Sequence, residues 1–165
     1  MSRPFWAILL VIAFMLGVIA DNVFQYFQGY SKEQAAPFSE SCGSKLMPSG
    51  RISREDIHIY PNEVCISLKE PYLAYYTDTG SMEPMLGRGA KGIEIQPKGP
   101  QDIHTGDIVS YRSEYAEGLV VHQVYNISYD ENGWYATMKG INNKEADPGK
   151  VRFSQINKIL AVAIY

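Results

Sequence analysis

The chain has 165 residues and a formal net charge of −3, from 15 basic and 18 acidic residues. This length suits one domain with its own hydrophobic core plus a short appendage. No run of basic residues is present, which argues against a nucleic-acid-binding protein. The 12 tyrosines, 14 glycines and 9 prolines favour strands and turns over a helical bundle.

The N-terminal segment is apolar. Residues 4–20 carry no charged or strongly polar side chain, with Arg3 before this run and Asp21 after it. The run has the minimum length of a membrane-spanning helix, and Arg3 places the N-terminus in the cytoplasm. We therefore predict a single-pass anchor over residues 1–24, in the cell membrane or, in a eukaryote, the endoplasmic reticulum membrane. A cleavable secretory signal is the alternative, and both place the rest of the chain on the extracytoplasmic side.

The two cysteines, Cys42 and Cys65, do not belong to a Cys-x-x-Cys pair, which argues against a zinc site. In an exported domain they either form one disulfide or are two unrelated thiols. No cluster of metal-ligating residues is visible in the sequence, so we expect neither a metal nor a cofactor.

The segment after the anchor, residues 25–61, is predicted to be a juxtamembrane connection, because its second half is rich in Ser, Gly, Pro and charge. From residue 62 to residue 165, β-branched and aromatic runs alternate with Gly, Pro, Asn and Asp, which is typical of strands separated by turns. The predicted strands are 64–68, 72–77, 92–96, 108–111, 119–127, 134–139 and 159–165. We therefore predict a mainly β protein whose C-terminal domain consists of packed, curved antiparallel sheets.

A serine at a sharp turn is the strongest local indication of a catalytic residue. Gly80 and Ser81 follow a predicted strand directly, and Pro84 comes three residues later. Glycine allows a tight turn that presents the serine hydroxyl outward. A serine hydroxyl becomes an effective nucleophile only when a neighbouring base accepts its proton.

Of the three histidines, His122 is the best candidate for that base. His58 and His104 lie in polar connections, whereas His122 is embedded in the apolar run 119–124. An imidazole there suits general-base catalysis, and Asp147 is a candidate acceptor to orient it. Taken singly, His122 can equally be a satisfied core histidine and Asp147 part of an Asp-Pro turn.

Four short motifs resemble those of the signal peptidase I family, in its archaeal and endoplasmic-reticulum branch, where a histidine replaces the bacterial lysine. They are Gly-Ser-Met-Glu-Pro at 80–84, Gly-Asp-Ile-Val-Ser-Tyr at 106–111, Val-His-Gln-Val at 121–124, and Lys-Gly-Ile-Asn-Asn at 139–143 followed by Asp147. The motifs occur in the order of the family. An N-terminal anchor before an external β-rich catalytic domain also fits that family.

The resemblance implies a role for each matching residue. Ser81 would be the nucleophile, His122 the general base and Asp147 the residue that orients His122. The Ser81 N–H and the Thr79 hydroxyl would form the oxyanion hole, and Met82 would lie close to the site.

The resemblance also implies a substrate. Signal peptides of exported preproteins would bind as an extended strand beside Tyr75 and Tyr76 and be cut after small residues. Membrane lipid and, in some members, accessory subunits would be the other partners.

Two positions depart from the family. Ile141 replaces an aspartate, and Gln123 replaces an arginine that usually follows the histidine. The alternative function is therefore a catalytically impaired, membrane-tethered pseudo-protease that binds peptides without cutting them. A self-cleaving protein of the phage-repressor type would need a lysine base, and both His122 and the apolar N-terminus argue against it.

Overall fold

The computed structural model describes residue 19 and residues 46–165. The chain divides into two units, Met1–Gly43 and Ser44–Tyr165. Most of the predicted anchor and juxtamembrane connection, together with Cys42, lies outside the described residues. Within the part that is described, no helix has the length and apolarity needed to cross a membrane.

Residues 46–165 form two antiparallel sheets, so the prediction of a mainly β, antiparallel fold is confirmed. A two-stranded sheet pairs β1 (Ile57–Ile59) with β2 (Val64–Ile66). The six-stranded sheet has the order β3-β4-β8-β5-β6-β7. Its strands are β3 (Tyr72–Tyr75), β4 (Lys91–Ile95), β5 (Ile108–Arg112), β6 (Leu119–Asp130), β7 (Gly133–Lys139) and β8 (Ile156–Ile164).

The predicted strands 64–68 and 72–77 end two residues earlier in the structure, at Ile66 and Tyr75, and three differences are larger. β1 lies inside the segment predicted to be irregular, because a strand of three residues between charged and proline-containing stretches gives almost no periodic signal. β6 continues to Asp130, since its far end pairs with β7 across the tight turn at residues 131–132. β8 begins at Ile156, directly after a 3₁₀ turn, Phe153–Gln155.

The core lies on both faces of the six-stranded sheet, and β5 contributes to both. Successive residues of a strand point to opposite faces. Accordingly Ile108 packs with Met82 and Leu160 in one apolar cluster, whereas Val109 and Tyr111 belong to the other. β5 lies between β8 and β6 and is buried along most of its length.

The described chain begins with a strap, residues 46–51, that is held against the turn before β5. Asp107 is 1% exposed and accepts hydrogen bonds from the Ser49 backbone N–H (3.0 Å), the Ser49 hydroxyl (2.6 Å) and the His104 backbone N–H (2.8 Å). It also forms an ion pair with Arg51. We call this group of contacts the Asp107 clamp.

Gly106, beside the clamp, has a φ of +100°, and a Cβ there would lie 2.1 Å from the carbonyl oxygen of residue 47. Glycine is therefore needed both for the backbone conformation and for the close approach of the strap.

Candidate active site

Ser81 lies on the turn that leaves β3. Gly80 has a φ of +72°, a conformation that favours glycine. The next residues form a short helical turn in which the Leu86 N–H donates to the Met82 carbonyl at 2.9 Å. Met82 and Leu86 are buried in one of the core clusters, so they anchor the turn. The Ser81 side chain is thereby placed at the surface of the core, facing β6.

Ser81, His122 and Asp147 form one chain of hydrogen bonds. Ser81 Oγ lies 3.1 Å from His122 Nε2, and His122 Nδ1 lies 2.5 Å from Asp147 Oδ2. His122 is 9% exposed, and the Asp147 side chain is partly buried. A hydroxyl, an imidazole and a carboxylate in this order are the groups required for nucleophilic catalysis by serine.

Three separate parts of the chain supply this arrangement. His122 is held by β6, where it pairs with Val109 of the buried strand β5. Asp147 lies in the loop after β7, and its backbone N–H donates to the Met138 carbonyl at 2.8 Å. The loop is therefore fixed to the sheet at the residue that carries the carboxylate.

Tyr111, within the motif at residues 106–111, is a fourth member of the site and was not among the predicted site residues. Its hydroxyl donates to Asp147 Oδ2 at 2.6 Å, the same oxygen that contacts His122. Burial and the neighbouring carboxylate raise the pKa of Tyr111 above its usual range, so the hydroxyl keeps its proton and stays a donor. Strand alternation could have indicated this contact from the sequence. Tyr111 lies two residues after Val109 and so shares its sheet face, and Val109 is the cross-strand partner of His122.

The motif at residues 139–143 packs through its backbone on the turn that carries Ser81. The Asn142 N–H donates to the Ser81 carbonyl at 2.9 Å, and its side-chain amide donates to the Gly80 carbonyl at 3.0 Å. A Cβ at Gly140 would lie 2.7 Å from the Ser81 carbonyl oxygen, so this approach requires glycine. Ile141, which departs from the family pattern, packs against the core cluster that contains Met82.

Gln123, the second departure, has a structural role here. It is buried, and its side-chain amide donates to the carbonyl oxygens of Leu46 (3.1 Å) and Gly106 (2.9 Å). Gln123 therefore ties β6 to the strap and to the turn before β5.

Thr79 lies beside Ser81, with its hydroxyl oxygen 3.1 Å from Ser81 Oγ. Tyr75 is exposed and Tyr76 half-buried, and both line the same cleft as Ser81 and His122. The structure thus brings together four of the predicted site residues, Thr79, Ser81, His122 and Asp147. Met82 is buried in the core cluster under the turn.

The cleft has a volume of about 820 Å³ and runs between two strand edges. Among the strands of residues 46–165, β3 is the outermost strand of the six-stranded sheet. On the opposite side of the cleft, residues 119–122 of β6 pair only with β5 in this part of the chain, since pairing with β7 begins at Gln123. Unpaired backbone groups along both edges are suitable for binding an extended peptide.

The other candidate residues lie elsewhere. His58 is exposed in β1, and His104 is exposed beside the Asp107 clamp. Cys65 is exposed in β2 with a free thiol, and its possible partner Cys42 lies outside the described residues. Residues 46–165 contain no group of three or more His, Cys, Asp or Glu side chains that could hold a metal ion.

Comparison with models of protein families, with curated proteins and with solved structures finds no match.

Proposed function

We propose that this protein is a membrane-bound serine endopeptidase of the signal peptidase I type, which removes N-terminal signal peptides from exported preproteins after small residues. The observation that carries the proposal is the hydrogen-bonded series of Ser81, His122 and Asp147 at the edge of an open cleft. The four motifs that resemble the signal peptidase I family supply the specific activity. Their nucleophile, base and acid are the three residues of this series.

In this proposal the Ser81 hydroxyl attacks the carbonyl carbon of the scissile bond while His122 Nε2 accepts its proton. Asp147 holds the imidazole in the required orientation and stabilises its protonated form. His122 then donates the proton to the leaving amine, which is the N-terminus of the mature protein. A water molecule activated by the same nitrogen hydrolyses the acyl-enzyme and releases the signal peptide.

The oxyanion of the tetrahedral intermediate would be bound by the Ser81 N–H and the Thr79 hydroxyl. The position of Thr79, 3.1 Å from Ser81 Oγ, supports this role, since its hydroxyl can rotate from the nucleophile towards the developing charge.

The substrate would bind as an extended strand between β3 and the free edge of β6, with its side chains directed into the cleft. Signal peptides enter such a site from the membrane. The predicted anchor at residues 1–24 would hold the catalytic domain beside the extracytoplasmic surface, in contact with lipid and with any accessory subunits.

The test is cleavage of a model preprotein by the detergent-solubilised full chain. We expect a single cut after a small residue, and we expect Ser81→Ala to reduce kcat by about 10³-fold or more, because the nucleophile is lost. Ser154→Ala, at an exposed serine in a surface turn, is the matched control and should cleave normally. Cleavage at the same bond and rate by Ser81→Ala would exclude the proposal.

The alternative is the peptide-binding pseudo-protease, motivated by Ile141. Because Ile141 packs in the core and Asp147 contacts His122, the catalytic series does not depend on an acid at position 141. Peptide binding without cleavage by the wild-type chain would favour this alternative.

A further inference from the structure

A buried carboxyl group lies in the floor of the cleft, away from the catalytic series. Glu94 belongs to β4 and is 3% exposed, yet it lines the same cleft as Ser81 and His122. Burying an acidic side chain in a binding cleft is costly unless it forms specific hydrogen bonds. A cleft that binds only small apolar side chains has no use for such a group.

Two hydroxyl groups orient this carboxyl. The Tyr76 hydroxyl donates to Glu94 Oε1 at 3.1 Å, and the Ser110 hydroxyl donates to Oε2 at 3.3 Å. Ser110 is also buried, and its oxygen lies 3.5 Å from the Asn157 side-chain amide. Each carboxyl oxygen accepts about two hydrogen bonds, so each can accept another one from a ligand.

The backbone of β4 is adapted to this arrangement. A Cβ at Gly92 would lie 2.1 Å from the Tyr76 hydroxyl oxygen. Only glycine at this position therefore allows the Tyr76 ring to pass β4 and reach Glu94, so the contact between the two side chains depends on the sequence of β4.

The electrostatics favour a neutral hydrogen-bonding ligand over a cation. Burial raises the pKa of the Glu94 carboxyl above its usual value. The ammonium group of Lys158 lies 4.5 Å from the centre of the Tyr72 ring in the same cleft and interacts with Glu94 electrostatically. A second cation would be repelled by Lys158, whereas a hydroxyl would not.

We propose that Glu94, Tyr76 and Ser110 form a polar subsite that binds a hydroxyl-bearing side chain, serine or threonine, of the extended peptide. The proposal rests on the proposed function in that the ligand is the peptide substrate. A site built around hydrogen bonds to a hydroxyl discriminates against the analogue that lacks it, because its own polar groups then lose their partners.

The experiment uses pairs of model preproteins. The two members of a pair differ at a single position before the cut, carrying serine or alanine, or threonine or valine, and each position before the cut is tested in turn. For the wild-type chain we expect kcat/KM to be about five- to tenfold higher for the hydroxyl-bearing member at one of these positions. Ser110→Ala and Tyr76→Phe should each reduce this preference, and Glu94→Leu with Ser110→Val should reverse it towards valine. Glu131→Gln, at an exposed glutamate in the β6–β7 turn, should leave it unchanged.

The proposal is overturned if the wild-type chain prefers alanine and valine at every position, or if the preference is the same in all three site variants. Because Ser110→Ala and Tyr76→Phe remove single groups, they decide the question even if the double variant fails to fold. If the wild-type chain cuts none of the substrates, the proposed function fails, and binding of the same preproteins to Ser81→Ala decides the subsite separately. Tighter binding of the threonine member supports it, and equal or weaker binding excludes it.

Discussion

Two aspartates of this domain lie beside a histidine, and their surroundings differ. Asp107 is fully buried and accepts hydrogen bonds from two backbone N–H groups and from Ser49, with Arg51 as its ion-pair partner. Asp147 is partly exposed and accepts from two side chains, His122 and Tyr111. The neighbour of Asp107, His104, is 58% exposed and 3.6 Å away, whereas His122 is buried and contacts Ser81 through its other nitrogen.

The partners of a carboxylate indicate its role. Backbone donors and the partly buried Arg51 guanidinium fix Asp107 in place, which suits a group that holds the fold together. Asp147 is bound by side chains that continue to the Ser81 hydroxyl, which suits a group that acts through another residue. Substitutions at these two aspartates and at Tyr111 should therefore have different effects.

The largest effect is expected for Asp147→Asn. An amide cannot hold the imidazole in the required tautomer or stabilise its charge, so kcat should fall by about 10³- to 10⁴-fold. The measurement is steady-state cleavage of the model preprotein, together with thermal unfolding of the variant. Glu145→Gln, the same change at an exposed position in the same loop, should cleave normally. A loss of less than tenfold would contradict the role of Asp147.

Asp107→Asn should affect stability instead of chemistry. It leaves the partly buried Arg51 guanidinium without its counter-charge, and breaking an ion pair whose carboxylate is buried costs about 3 kcal/mol. Thermal unfolding in detergent should shift down by roughly 10 °C, with kcat of the folded protein nearly unchanged. His104→Ala, which retains the backbone N–H that binds Asp107, should change stability by only about 0.5 kcal/mol. An unchanged melting temperature with a large fall in kcat would reverse the two roles.

Tyr111→Phe should have the smallest effect of the three. The variant removes one of the two side chains bound to Asp147, so the carboxylate is held less firmly against His122 and kcat should fall by only a few-fold. Steady-state cleavage of the model preprotein tests this, with Tyr129→Phe, at an exposed position, as the control. A kcat identical to that of the wild type would show that Tyr111 only fills space.

The sequence predicted features that depend on local patterns. Alternation and turn residues located β3 to β8 approximately, and the apolar context of His122 distinguished it from the other histidines. The insertion of β8 between β4 and β5 was not predictable, because it depends on pairing between distant segments. Tyr111 and Glu94 were missed for the same reason. Their roles follow from strand register, which places one beside Asp147 and the other in the cleft floor.

The backbone contact between residues 140–142 and Ser81 ties together two parts of the candidate site. Asn142 is hydrogen-bonded to the turn that carries Ser81, and Asp147 follows in the same loop, so the positions of Ser81 and Asp147 are coupled. If the proposed function holds, the conformational entropy of aligning these two residues is lost once, when the chain folds, and not again at each turnover. A peptide substrate would then meet a site that is already assembled, and its binding energy would be available to align the scissile bond.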